Sequence, residues 1–182
     1  MSNPNNWPTQ AEVLSGRSVY GNPRSKTDPS KSSAAWESAN LIYIKAPFLM
    51  TYAGQPLKKG FRMHKHCAPA MVRVMDKIWD ASGRQQAVIK DWGFQFFAGA
   101  AFFKVMTGNS RLLSMHSFGC AGDWDPARNG WKDRTPNFGN IPEILNAFES
   151  EGAVWGGDWN GNDSSADERS CDGMHWQFTR RP

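Results

Sequence analysis

The chain lacks most features that would place it in a membrane or on an export route. No stretch of its 182 residues approaches the roughly 18 consecutive apolar residues of a membrane-spanning helix. Met1 to Gln10 is polar and rich in Asn and Pro, without the charged-then-apolar pattern of a signal peptide. The expectation is therefore synthesis in the cytoplasm of the producing cell, no membrane insertion, and any exit by a route other than a signal peptide. Cysteine is scarce and odd in number: Cys67, Cys120 and Cys171 have no framework spacing, so reduced thiols are expected rather than disulfides. Internal repeats and heptads are missing, which excludes a solenoid or a coiled coil. Strong charge of one sign is missing too. The net charge of +4 is a mild bias toward anionic surfaces such as a cell wall, and no nucleic-acid motif accompanies it.

What is present is an ordinary globular composition, 40% apolar and 21% charged, with an unusual load of nine Trp. That length suits one domain, 1–182, with a real core and no separate wall-binding domain, and a monomer is expected. Most of the Trp should pack in the core, while the sharper alternative is an aromatic groove for a polymer. Residues 1–37, rich in Asn, Ser, Pro and Lys, read as an irregular arm with a turn at Gly21-Asn22-Pro23. Leu41 to Tyr52 leans toward strand, with a turn at Gly54-Gln55-Pro56. The spacing of Met71, Val74, Met75, Ile78 and Trp79 predicts a helix over 70–81 stopped by Gly83. A second helix is expected over 85–92 and a third from Pro142 to Glu151, closed by Gly152. Short strands are expected at 121–125, 153–155 and 174–179, with 94–106 either strand or packed loop. The sum is an α+β fold, a small and mainly antiparallel sheet flanked by helices.

Two motifs carry chemistry. Ser114 to Asp123 reads S-x-H-x-x-G-x-A-x-D, and Asp172-Gly173-Met174-His175 reads D-x-x-H. His116 and Asp123, seven residues apart around two glycines, fit a turn feeding a strand, with His175 arriving from a neighbouring strand. Two imidazoles and a carboxylate are the protein ligands of a catalytic zinc, Zn2+, whose fourth position takes water. Asp172 stands close enough to act as a base, the plainer alternative being an aspartate that caps a bend. A lone His is more often a bonded core residue, but here the whole pattern occurs together. His64 and His66 form an H-x-H that lacks a completing carboxylate, and flanking lysines place it toward solvent. The basic stretch Lys58, Lys59, Arg62 and Lys65 reads as a solvated face. Cys120 and Cys171 adjoin the motifs as thiolate ligands, as half of a nucleophile pair, or simply as small packing residues. The acidic loop Asp158 to Glu168 has Asp163 where a calcium loop needs its glycine, so an acidic lid is the better reading.

These residues resemble the D-Ala-D-Ala carboxypeptidase-like, VanY-type branch of the LAS zinc peptidases, and most closely the L-alanyl-D-glutamate peptidases of phage lysins. The similarity includes Tyr20-Gly21-Asn22-Pro23-Arg24, Asp125-Pro126-Ala127-Arg128-Asn129, Trp155-Gly156-Gly157-Asp158-Trp159 and Asp172 to Gln177. The resemblance implies the LAS (hedgehog/D-Ala-D-Ala peptidase-like) fold, zinc on His116, Asp123 and His175, and Asp172 as catalytic base. The family carries an Arg upstream of the first motif, and the matching position here is Lys104, which keeps the charge but loses the planar fork. Ser114 and Trp159 are expected to contact substrate. The implied activity is zinc-dependent hydrolysis of a stem-peptide bond of bacterial peptidoglycan, L-Ala–D-Glu in particular, by a phage-type endolysin acting on the wall after its release. The alternatives are a D,D-carboxypeptidase or dipeptidase of wall precursors, and a non-catalytic zinc-containing wall-binding module of the kind hedgehog-type relatives represent.

Overall fold

Caps and turn residues cut the chain into short elements. The computed structural model describes residues 4–107, 109–162 and 164–181. Met1–Asn3 of the polar terminus and Asp163 of the acidic loop lie outside the described residues. Helix α1, Gln10–Leu14, starts on a capping box: the Thr9 hydroxyl accepts from the Glu12 amide while the Glu12 carboxylate accepts from the Thr9 amide. Ser33 caps α2, Ala34–Asn40, which runs straight into β1, Leu41–Ile44. Strands β2, Thr51–Tyr52, and β3, Gln55–Pro56, form a hairpin whose turn residues, Ala53 and Gly54, both have positive φ. The turn is thus one residue earlier than the Gly54-Gln55-Pro56 expected, and Gln55 and Pro56 pair in the ladder.

Strand β4, Phe61–His64, precedes α3, Ala68–Ala81, whose Met71, Val74, Met75 and Ile78 are all buried, as the helical spacing predicts. Helix α4, Gln86–Trp92, stops at Gly93, whose φ of 89° is left-handed. Then come β5, Phe96–Gly99, β6, Val105–Met106, β7, Asn109–Leu113, and β8, Ala121–Trp124. Pro142 opens α5, Pro142–Glu149, and β9, Val154–Trp155, and β10, His175–Gln177, complete the order.

The fold is mixed α+β. Its main sheet has six strands in the order β3-β2-β5-β8-β10-β9, antiparallel except for the β2–β5 pair. Strands β1 and β4 form a separate ladder, and β6 and β7 a third. Alternation along β8 and β10 sorts their residues onto opposite faces. His175 pairs with Asp123 and Gln177 with Ala121 on one face, and Trp176 pairs with Gly122 on the other. On the apolar face the ring of Phe148, from α5, stacks on Trp176 at 4.0 Å, and Phe94 stacks on Trp124 at 4.9 Å. Gly122 is glycine because a Cβ there would meet the Trp124 ring at 2.7 Å. Among the described residues no helix is long and apolar enough to cross a membrane.

The N-terminal segment departs from the irregular arm expected of its composition. Three of its apolar residues, Trp7, Val13 and Tyr20, are buried, and the Tyr20 hydroxyl donates to the Phe178 carbonyl at 2.6 Å. Trp7 donates through its indole to the Glu151 carbonyl, and the Glu151 side chain gathers Asn5, Arg73 and Lys77. Asn and Pro content hides these anchors, because three buried rings and branches outweigh a polar average.

Candidate metal centre

The first motif builds its own scaffold. Ser114 caps a turn of 3-10 helix, Met115–Phe118, and its hydroxyl accepts from the His116 amide. Gly119 ends that turn at φ 66°, where a Cβ would also strike the Leu41 side chain at 2.5 Å. The chain then enters β8, so the expected turn-then-strand holds, the turn being helical. His116 rises from the 3-10 turn, Asp123 from β8 and His175 from the paired strand β10.

Their ligand atoms converge. His116 Nε2 lies 3.1 Å from Asp123 Oδ1, His175 Nδ1 lies 2.9 Å from the same oxygen, and the two ring nitrogens are 3.2 Å apart. All three residues are buried. The other nitrogen of each ring fixes its tautomer. His116 Nδ1 faces the Ala100 carbonyl at 2.7 Å and His175 Nε2 faces the Gln177 amide oxygen at 3.1 Å, and since both oxygens only accept, both nitrogens donate. Neutral imidazoles so held turn two lone pairs toward a carboxylate. Three acceptors at this range repel unless a cation lies among them, so the donor set and its second contacts fit a zinc ion.

Without a metal, a proton fills the gap. Burial works against the charged form of both rings. At His116 it prevails, and the pKa is lowered. At His175 the hydrogen bond and charge of Asp123, with Asp172 adding, outweigh burial and raise it. Burial also opposes the Asp123 carboxylate, but its two imidazole partners hold it well below the usual range.

Asp172 lies beside this cluster. Its backbone is held on both sides, donating to the Gly156 carbonyl and accepting from the His175 amide. A Cβ on Gly156 would sit 2.5 Å from the Asp172 carbonyl oxygen, so the tryptophan–glycine–glycine stretch is what lets this loop close on the site. Asp172 Oδ1 is buried and makes no hydrogen bond. Burial, aided by repulsion from Asp123, raises its pKa against the pull of His175 and Lys104. A cation on the three ligands would draw it down again.

A cleft of about 600 Å³ opens over these groups, lined by both histidines, Asp172, Lys104, Ser114, Trp131 and Trp159. The Lys104 ammonium stands 4.7 Å over the Phe102 ring. Its backbone is tied to the motif, its amide donating to the Ser117 hydroxyl and its carbonyl accepting from the Ser114 amide. Trp159 tilts over His175 at 5.7 Å between centroids. Of the nine Trp, then, Trp131 and Trp159 reach the cleft, and Trp7, Trp124, Trp155 and Trp176 are buried.

Two site supports escaped the reading of the motifs as chemistry. Asp125, at φ 46°, bonds Arg128 at 2.6 Å, and Asn129 accepts from the Phe138 amide while its carbonyl accepts from the Met174 amide. The D-P-x-x-N stretch is therefore a brace beneath the D-x-x-H. Gln177 is the other: it ends the Asp172 to Gln177 stretch that carries the resemblance, but the motif assigns it no role, and its place two residues after His175 on a strand is what puts it beside that ring.

Other candidates fall away from the site. His64 is buried rather than solvated, edge-on to Tyr20 at 5.0 Å, and burial pushes it down to about 4. His66 is exposed and stacks on it at 5.2 Å. Lys58, Lys59 and Lys65 are exposed, while Arg62 pairs with Glu37 at 2.9 Å. The three-residue ligand cluster includes no cysteine. Cys120 is buried against the Met115 carbonyl with its thiol pushed up by burial, and burial pushes Cys171 up to about 11. In the acidic loop Asp158 accepts from the Gly161 and Asn162 amides and pairs with Arg181, and Glu168 accepts from the Asn160 amide. The carboxylates of Asp158 and Glu168 thus bind the loop's own backbone and Arg181, and Asp167 accepts from the Asn160 and Asn162 side chains.

No curated protein and no solved structure matches the chain. The family model described as D-alanyl-D-alanine carboxypeptidase matches residues 107–178, less than half of the chain but the stretch that holds Ser114, His116, Asp123, Trp159, Asp172 and His175, and the match supports a hydrolase of the metallopeptidase type with a peptidoglycan-type substrate.

Proposed function

We propose that the protein is a zinc-dependent peptidoglycan peptidase that cuts a stem-peptide bond, L-Ala–D-Glu first among them, as a phage-type endolysin. One observation carries the reading: three inward lone pairs within 3.2 Å of one another, next to a carboxylate unbonded at Oδ1, in an open cleft. His116, Asp123 and His175 would hold the ion. Zinc, when bound, lowers the pKa of a water toward ~7 and polarises a carbonyl. Asp172, free at Oδ1, takes the proton of the attacking water and returns it to the leaving amine. Lys104 sets its charge toward the cleft and offsets the negative charge that develops on the carbonyl oxygen. Ser114 and Trp159 border the space the peptide would occupy. The whole chain acts as one catalytic domain, made in the producing cell's cytoplasm and working on the wall once released.

A cell-wall zymogram tests the reading. Clearing should stop with chelator and return with zinc, and His116→Ala should abolish it while the fold survives. Clearing that persists under chelator, or in the His116→Ala variant, sinks the proposal. The family description favours a second reading, a D,D-carboxypeptidase. Mass analysis of digested peptidoglycan separates the two: a new N-terminal D-Glu marks the endopeptidase, free D-Ala the carboxypeptidase.

A further inference from the structure

We propose that Gln177 and Gln10 form a relay that positions His175 as a metal ligand, so that the N-terminal segment, outside the stretch matched by the family model, completes the zinc centre. The inference rests on the metal reading above and adds to it the part played by these two side chains. His116 takes its orientation from a backbone carbonyl, that of Ala100, which no side-chain change removes. The orientation of His175 depends instead on a side chain. Gln177 shares the polar face of β10 and is buried, with its amide nitrogen turned toward Gln10 and Thr179. The amide nitrogen donates to Gln10 Oε1 at 3.2 Å and to the Thr179 hydroxyl at 2.7 Å, which leaves the amide oxygen for His175 Nε2 at 3.1 Å. Were the amide reversed, its NH2 would oppose the ring N–H and the lone pair of Nδ1 would be lost to the site.

The outer end of the relay is held firmly. Thr9 bridges to Arg180, and the Arg180 amide donates to the Pro8 carbonyl at 3.0 Å. Trp7 packs edge-on to Phe178 at 5.3 Å. The capping box at Thr9 and Glu12 then fixes the first turn of α1, where Gln10 stands, half-buried, at the edge of the cleft. Neither glutamine touches the reacting atoms, so both are positioning residues.

The test is zinc affinity by chelator competition, with the His175 tautomer read by nitrogen NMR of metal-free protein at alkaline pH. Wild type should bind zinc and show the Nε2–H form. Gln177→Leu should weaken binding about 10–100-fold and mix the tautomers. Gln177→Glu, still an acceptor, should restore both. Gln10→Ala, at the half-buried end, should cost about tenfold and reads the relay even if Gln177→Leu does not fold. Wild-type affinity and an unchanged tautomer in Gln177→Leu, or in Gln10→Ala where that variant is the one read, overturn the relay while leaving the metal centre standing. A wild type that binds no zinc overturns both.

Discussion

The pair of strands β8 and β10 presents two faces built from alternate residues of the same few positions, and they obey different rules. One face packs Trp124 and Trp176 against Phe94 and Phe148. The other brings Asp123, His175 and Gln177 together with His116. The aromatic face gains from every contact it makes, since burial of apolar area is favourable wherever it occurs. The polar face carries lone pairs that repel one another unless a proton or a cation lies among them. Stability is thus concentrated on one side of a sheet two residues thick in sequence, and chemistry on the other. A substitution should be sorted by the face it touches.

The largest effect expected from the polar face is on rate alone. Asp172→Asn keeps the size of the side chain and removes the base, so hydrolysis should fall by about 10²–10⁴-fold with zinc affinity kept. Because Oδ1 of the native carboxylate is buried without a partner, the melting temperature should hold or rise. A variant with wild-type turnover breaks the assignment of the base. The converse experiment is Phe148→Ala. The ring at 4.0 Å from Trp176 is fully buried, and its loss should cost about 3–5 kcal/mol in urea denaturation. Zinc affinity of the remaining folded protein should stay unchanged. If it falls in step with stability, the two faces are not separable.

Much of this division was legible beforehand, and the illegible part has a physical cause. Periodicity found α3 and α4, because Met71, Val74, Met75 and Ile78 repeat at helical spacing and Gly83 and Gly93 stop the chain. The candidate ligands stand out because the donor types and the glycines between them occur as one pattern, and the structure brings His116, Asp123 and His175 together. The α+β class followed from short strands between helices. Three things were not legible. The N-terminal segment hides its packing in single residues, Trp7, Val13 and Tyr20, too far apart to show a period. Solvent exposure of His64 was misjudged from its lysine neighbours, since burial depends on Tyr20, which is distant in sequence. Gln177 and the Asp125–Asn129 stretch stand in the quoted motifs, but their supporting roles come from contacts between segments, and spacing along the chain does not record those.

Lys104 sharpens the comparison within the polar face, because it supplies charge from outside the stretch matched by the family model. Lys104→Met should lower kcat/KM by about 10²-fold, the cost of one donor to a developing oxyanion, and Lys104→Arg should recover most of it. Lys104 also holds down the Asp172 pKa, so the methionine variant should move the acidic limb of the pH–rate profile upward. An unshifted limb places the ammonium too far from the base to matter.

The smallest effect is a change of stability with pH in metal-free protein, and its sign separates the two histidines. His175 has its pKa raised above the ordinary 6.5, so its contribution is full below that value and lost as pH rises through the higher folded value. His116 has its pKa lowered, so its contribution is present above the ordinary value and lost as pH falls toward the lower one. Metal-free protein should therefore be most stable near the ordinary histidine range and decline on both sides. With zinc bound, the alkaline decline should vanish, because the ion replaces the proton shared among the three ligands and is favoured by its departure. Calorimetric scans across pH, with and without zinc, check this. A metal-free protein that gains stability from neutral to alkaline pH would mean that the three ligand atoms do not crowd one another, and the polar face would then be no different in kind from the aromatic one.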